Sequence, residues 1–117
     1  MVIEQEMIGL IAVLSLKGPM TAGDDEGRLR DRVRSLVQQG TRRIALDLGG
    51  VSYMDSAGLG ELMAVHTTVN RGGGQIRVFN ITNRVSALLS ITRLWMVLDA
   101  FDSKDAALKS LADASSG

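Results

Sequence analysis

Ser56 is the residue of this chain whose type and position best suit chemistry. It lies in the segment Val-Ser-Tyr-Met-Asp-Ser-Ala-Gly-Leu-Gly at residues 51–60, between a predicted strand and a predicted helix. Strand-to-helix turns in open α/β sheets lie at the carboxyl edge, where binding sites form. At the start of a helix, unpaired backbone N–H groups and the positive end of the helix dipole surround a serine hydroxyl. A phosphate on Ser56 would therefore be tolerated.

A purely structural interpretation of the same segment stays open. Asp55 or Ser56 could serve only as the N-cap of the helix, since short polar side chains are common at that position. Gly58 and Gly60 would then only let the helix pack tightly against the sheet. Residue types and spacing alone do not decide between a cap and a modification site.

The rest of the sequence does not support catalysis by Ser56. A nucleophilic serine needs an adjacent base, and the single histidine, His66, lies ten residues further along the same predicted helix, ~15 Å away at ~1.5 Å rise per residue. We expect His66 to pack on the apolar stripe of that helix. The glycines at 72–74 lack the Lys-Ser or Lys-Thr of a phosphate-binding loop. With one histidine and no cysteine, the residues give little support for an enzyme, and we expect no metal and no cofactor.

The composition indicates one folded domain with no general affinity for nucleic acid or membranes. A hydrophobic fraction of 45% and a charged fraction of 22% are typical of globular proteins, and thirteen cationic side chains balance thirteen acidic ones. The chain of 117 residues predicts a single domain over 1–117, with an ordered core at roughly 4–112. The apolar stretch at 7–16 is too short to cross a bilayer and follows Glu4 and Glu6 rather than a cation, so we expect a cytoplasmic protein.

Hydrophobic periodicity predicts alternating strands and helices around the serine. The first predicted strand is apolar on both faces, which is typical of a strand covered on both sides. Alternation with short connections predicts an α/β domain with a mainly parallel sheet. The predicted strands cover 8–16, 44–48, 76–78 and 96–98, and the predicted helices cover 24–39, 59–69, 83–91 and the segment after an N-cap at Asp102.

These residues resemble the STAS family, whose soluble members are anti-sigma-factor antagonists. The most specific part of the resemblance is Asp-Ser-Ala-Gly-Leu-Gly at residues 55–60. It is supported by Ile-Ala-Leu-Asp-Leu at 44–48, Gly-Gly at 73–74 before a strand, and Leu-Leu at 88–89 with Leu94 further on. The resemblance covers nearly the whole chain. It implies a small mixed, mainly parallel sheet of about four strands packed by four or so helices.

The resemblance also implies a switch that is not an enzyme. The unphosphorylated protein would bind an anti-sigma factor that is a Ser/Thr kinase and release the sigma factor. That kinase would phosphorylate Ser56, and a Ser/Thr phosphatase would restore the binding form. Leu59 would either pack inward or help the contact. The residues that the resemblance assigns to the partner surface are Asp55, Ser56, Ala57, Gly58, Leu59 and Gly60, with Thr21 and Asp24 from the loop that flanks the serine.

Lys17 and Pro19 depart from the family pattern beside that flanking loop. An alternative is a STAS scaffold subunit of a stress-signalling complex, whereas a transporter domain is disfavoured because the sequence shows no membrane span. We expect a monomer or a weak homodimer, since Leu94, Trp95, Met96 and Phe101 are predicted to complete the core rather than to form an exposed apolar patch.

Overall fold

The protein, analysed as a computed structural model, is described over residues 1–23, 27–94 and 97–114. These residues form five strands and four helices, all connected by short segments. The strands are β1 (Val2–Ile8), β2 (Ile11–Met20), β3 (Arg43–Met54), β4 (Gln75–Phe79) and β5 (Ala100–Phe101), and the helices are α1 (Arg28–Gln38), α2 (Ser56–Arg71), α3 (Asn83–Thr92) and α4 (Lys104–Ala114).

One sheet contains the five strands in the order β1-β2-β3-β4-β5. β1 and β2 form an antiparallel hairpin, whose turn contains Gly9 at a φ of 60°. β2, β3, β4 and β5 are all parallel, so each connection between them crosses one face of the sheet. The predicted α/β class with a mixed, mainly parallel sheet is therefore confirmed, with five strands rather than about four.

Helices cover both faces of the sheet. On one face, α1, α2 and α3 pack against alternate residues of β2 and β3, such as Leu14 and Leu46, which are fully buried. On the other face, α4 packs through Ala107 and Leu111 against Val13. Since β2 is covered on both sides, its first residues form a continuous apolar run, as predicted. The predicted strand at 8–16 is wrong at its start, because Ile8 ends β1 and residues 9–10 form the turn into β2.

Two predictions near the C-terminal end are wrong, and others fall partly outside the described residues. No strand covers 97–98: the last strand is β5, which pairs with Val78 and Phe79, and Met96 lies outside the described ranges. The side chain that caps α4 is Ser103, not Asp102, because the Ser103 hydroxyl accepts a hydrogen bond from the Ala106 N–H at 3.1 Å. The predicted start of α1 at 24 and the partner residue Asp24 lie outside the description, as do Trp95 and residues 115–117.

The described helices contain no segment both long and apolar enough to cross a membrane. Leu94 and Phe101 are partly buried and pack against the two core clusters, as predicted.

Candidate functional site

Ser56 is the first residue of α2, separated from the end of β3 only by Asp55. Its side chain is exposed, and within the described ranges no hydrogen bond engages its hydroxyl. Because β3 is a central parallel strand, its carboxyl end brings Ser56 to the edge of the sheet where α/β proteins place their sites. An exposed, unengaged hydroxyl in this position is accessible to a modifying protein.

Asp55 caps α2 and also anchors the neighbouring loop. Its Oδ1 accepts a hydrogen bond from the Gly58 N–H at 2.9 Å, and its Oδ2 accepts one from the Ala22 N–H at 3.3 Å. Its own N–H donates to the Met20 carbonyl at 3.3 Å. The segment after β2, including the half-buried Thr21, therefore flanks the turn from β3 into α2 that carries Ser56. Asp55 is therefore the N-cap of α2, as the structural interpretation has it, and the Ser56 hydroxyl takes no part in this cap.

The pKa of the Asp55 carboxyl is lowered below its ordinary value of 3.8, mainly by the hydrogen bond from the Gly58 N–H. Desolvation acts in the opposite direction, and the Ala22 N–H adds to the lowering. A lowered folded-state pKa stabilises the fold at pH values above the ordinary one, and this contribution is lost as the pH falls through the folded-state pKa.

We therefore expect Asp55→Asn to be less stable than the original protein at pH 7, with the difference shrinking below about pH 4. Urea unfolding across a pH series measures this difference. A difference that stays constant down to the lowest pH would contradict the assigned role of the carboxylate.

Gly58 explains why the start of α2 approaches the sheet so closely. A Cβ at Gly58 would overlap the Met20 carbonyl oxygen and lie only 2.8 Å from its carbon. Leu59 is 8% exposed and belongs to the core, so of its two possible roles it has the inward one. Gly60 differs, because a Cβ there would meet nothing within 4 Å. Tight packing therefore accounts for Gly58 and not for Gly60.

The accessible part of the motif is narrower than the motif itself. Ser56 and Gly60 are exposed, and Asp55 and Ala57 are half-buried. We call the surface formed by these four residues the serine face. Gly58 and Leu59 lie beneath it and support it from within the fold.

Glu61 is a structural residue of this site that the sequence analysis missed. It is the buried charged residue of the described chain, 8% exposed, and it lies on α2 one residue after the serine face. Its carboxylate accepts hydrogen bonds from the N–H groups of Gly27 at 3.2 Å, Leu29 at 2.9 Å and Arg30 at 3.2 Å. Gly27, the N-cap position of α1, supplies no side chain. A carboxylate from α2 thus caps α1 and fixes the two helices to each other.

Glu61→Ala should lower the free energy of unfolding by about 2–3 kcal/mol, because it leaves these buried N–H groups without an acceptor. Glu61→Gln keeps one carbonyl oxygen and should lose about half as much. Equilibrium urea unfolding of the three proteins tests this. Equal stability of Glu61→Ala and the original protein would show that the cap contributes nothing.

His66 is half-buried on α2 and pairs with Asn70, whose Nδ2 lies 3.2 Å from its Nδ1. It is therefore engaged along its own helix and not with Ser56. Among the described residues, no group of three or more His, Cys, Asp or Glu side chains is arranged to hold a metal ion.

The fold, together with the turn from β3 into α2 that carries Ser56, is that of a STAS domain. The family model for the STAS domain matches residues 2–107, and the chain belongs to this family. The chain is 35% identical over 71 residues to the anti-sigma-B factor antagonist of Bacillus subtilis, an alignment that covers 61% of this chain and 64% of that protein.

Solved structures share the fold at low sequence identity. An anti-sigma factor antagonist from Mycobacterium paratuberculosis superposes with a TM-score of 0.82 at 19% identity, over 95% of this chain and 93% of that one. The anti-sigma factor antagonist SpoIIAA in its unphosphorylated form gives a TM-score of 0.71 at 17% identity, over 99% of both chains. SpoIIAA in its phosphorylated form also gives 0.71 at 17% identity, over 93% of this chain and 98% of that one.

Proposed function

We propose that this protein is an anti-sigma-factor antagonist that is controlled by phosphorylation at Ser56. In its unmodified form it binds an anti-sigma factor that is a Ser/Thr kinase, and the sigma factor is released. The observation that carries this proposal is the exposed hydroxyl of Ser56 on the first residue of α2, held by a cap that does not use it. The names of the relatives support the same function.

The chemistry at Ser56 is a phosphoryl transfer in both directions of the switch. The Ser56 Oγ attacks the γ-phosphorus of ATP bound to the kinase, the new Oγ–P bond forms, and the bond from that phosphorus to the β–γ bridging oxygen breaks. ADP leaves, and the hydroxyl proton passes to a base on the kinase. A Ser/Thr phosphatase reverses the state by hydrolysis, in which water attacks the phosphorus and the serine hydroxyl and inorganic phosphate are released.

The switch acts through charge and not through unfolding. A phosphate adds about −1.5 to −2 charges at neutral pH, next to the existing carboxylate of Asp55. The N-terminus of α2 partly offsets this charge within the monomer. At a desolvated interface the same dianion meets no cation on the partner that is placed to receive it, and mispaired charges cost several kcal/mol. The two forms of SpoIIAA, which match this fold equally well, support a scaffold that survives phosphorylation.

The partner surface is the serine face together with the flanking loop, in which Thr21 and Asp24 are included. The protein works in the cytoplasm, where sigma factors act, as a monomer or weak homodimer. It regulates transcription through its protein partners and does not contact nucleic acid itself.

A side-by-side pull-down with the original protein, Ser56→Ala and Ser56→Asp tests this function. The original protein and Ser56→Ala should retain a kinase-type anti-sigma factor, identified by mass spectrometry, and Ser56→Asp should retain much less. Equal retention of that kinase by all three would contradict the switch. Retention within one large stable assembly on size exclusion, unaffected by Ser56→Asp, would indicate the scaffold function instead.

A further inference from the structure

A depression of about 230 Å³ lies beside the serine face, between the N-termini of α1 and α2. Its lining residues are Gly27, Arg30, Ala57, Gly60 and Glu61. Ala57 directly follows Ser56 in the chain, and Gly60 lies one helical turn after Ser56 on the same side of α2. A group attached to Ser56 is therefore within one turn of this depression.

Arg30 is the cation that lines this depression. Its side chain is exposed, and within the described ranges no hydrogen bond or ion pair joins its guanidinium to another residue. Its neighbours on α1 are engaged: the Arg28 guanidinium donates to the Met1 carbonyl at 2.6 Å, and that of Arg32 donates to the Gln5 side chain at 3.2 Å. Arg30 is thus available to an anionic group that enters the depression.

Gly60 keeps this space open although the fold does not require a glycine there. A Cβ at Gly60 would meet nothing within 4 Å, while a glycine inside a helix costs roughly 0.5–1 kcal/mol relative to alanine. Gly60 therefore weakens α2 without improving its packing, and it leaves room for a group that the unmodified protein does not contain.

Two carboxylates beside the depression, those of Glu61 and Asp55, are already engaged with backbone N–H groups. The carboxylate of Glu61 accepts three backbone hydrogen bonds at the start of α1, and that of Asp55 accepts two around the start of α2. A further anion at Ser56 would meet both carboxylates, so it needs a cation close by. Arg30 is the cation that lines the depression, and a guanidinium can bind two phosphate oxygens at once.

We propose that Arg30 is the built-in counter-ion of a phosphoryl group on Ser56, and that the pair occupies the depression left open by Gly60. The inference rests on the proposed function only for the use of this modification in the cell. The phosphate then has two effects: it adds charge to the serine face, and together with Arg30 it fills a space that a partner would otherwise reach.

The test is a ³¹P NMR titration of the full chain with phosphoserine installed at 56 during translation. The second pKa of a phosphoserine is about 6, and a nearby guanidinium lowers it. We expect Arg30→Gln to raise this pKa by at least about half a unit relative to the original sequence. Arg32→Gln removes the same charge from the same helix, but at a side chain bound to Gln5, and should change it far less.

Equal titration of the Arg30→Gln and Arg32→Gln phosphoproteins would overturn the assignment of Arg30. Thermal melts of both variants confirm that each remains folded at the titration temperature. The titration does not depend on any kinase, so its failure is distinguishable from a failure of the proposed function. If a kinase labels Ser56 and Arg30→Gln leaves the pKa unchanged, only the present inference is wrong.

Discussion

Phosphorylation of Ser56 is expected to lower the affinity for the anti-sigma factor about a hundredfold. The four residues of the serine face include no cationic side chain, and Asp55 already contributes a carboxylate. Mispaired charges at an interface cost several kcal/mol, and we take about 3 kcal/mol for burying a dianion beside the Asp55 carboxylate. At about 1.4 kcal/mol per tenfold, this is a factor of about one hundred. Isothermal titration calorimetry with the phosphorylated and unmodified proteins measures it.

Two variants control this prediction. Ser56→Ala keeps the face small and neutral, so it should bind like the unmodified protein and accept no phosphate at this position. Ser56→Asp introduces one negative charge and should bind weakly. Circular dichroism of the phosphorylated form should match that of the unmodified form. An affinity unchanged by the phosphate, or a fold lost with it, would each contradict the electrostatic mechanism.

Gly58→Ala is expected to cause the largest loss of stability among the substitutions in the motif, about 2–4 kcal/mol. Its methyl group would overlap the Met20 carbonyl, and neither the strand end nor the helix start can move alone. A shift of α2 would also weaken the hydrogen bond from the Gly58 N–H to Asp55. Equilibrium urea unfolding gives the difference directly.

Gly60→Ala is the matched control for this prediction. It adds the same methyl group two residues further along the same helix, where nothing lies within 4 Å of the new atom. It should leave stability unchanged or raise it by up to about 1 kcal/mol. If Gly58→Ala were as stable as Gly60→Ala, the close approach of α2 to β2 would not be a constraint on the fold.

The elements that periodicity predicts are those with a single regular apolar face. In α1 the buried residues Leu29, Val33 and Leu36 follow helical spacing, and the helix is where the pattern places it. β1 was missed because it is an edge strand with one neighbour, and its exposed Glu4 and Glu6 resemble a loop in sequence. β5 has two residues, which is too short for any period to be visible.

The part of the site that could be predicted from the sequence is the part whose contacts are local in the chain. The position of Ser56 at the helix start follows from local sequence, because Asp55 and Gly58 are close along the chain. The role of Glu61 does not, since its N–H partners lie 31 to 34 residues away on α1. One local signal was present: a glutamate among apolar residues of α2, together with a helix α1 that begins without a polar side chain of its own.

The central claim of the proposed function is that Ser56 is the phosphate acceptor. Incubation of the protein with its cognate anti-sigma kinase and ATP, followed by mass spectrometry of the peptides, tests it most directly. We expect one phosphate, carried on Ser56, and none on Ser56→Ala. Phosphate found only on another residue, or full labelling of Ser56→Ala, would contradict it.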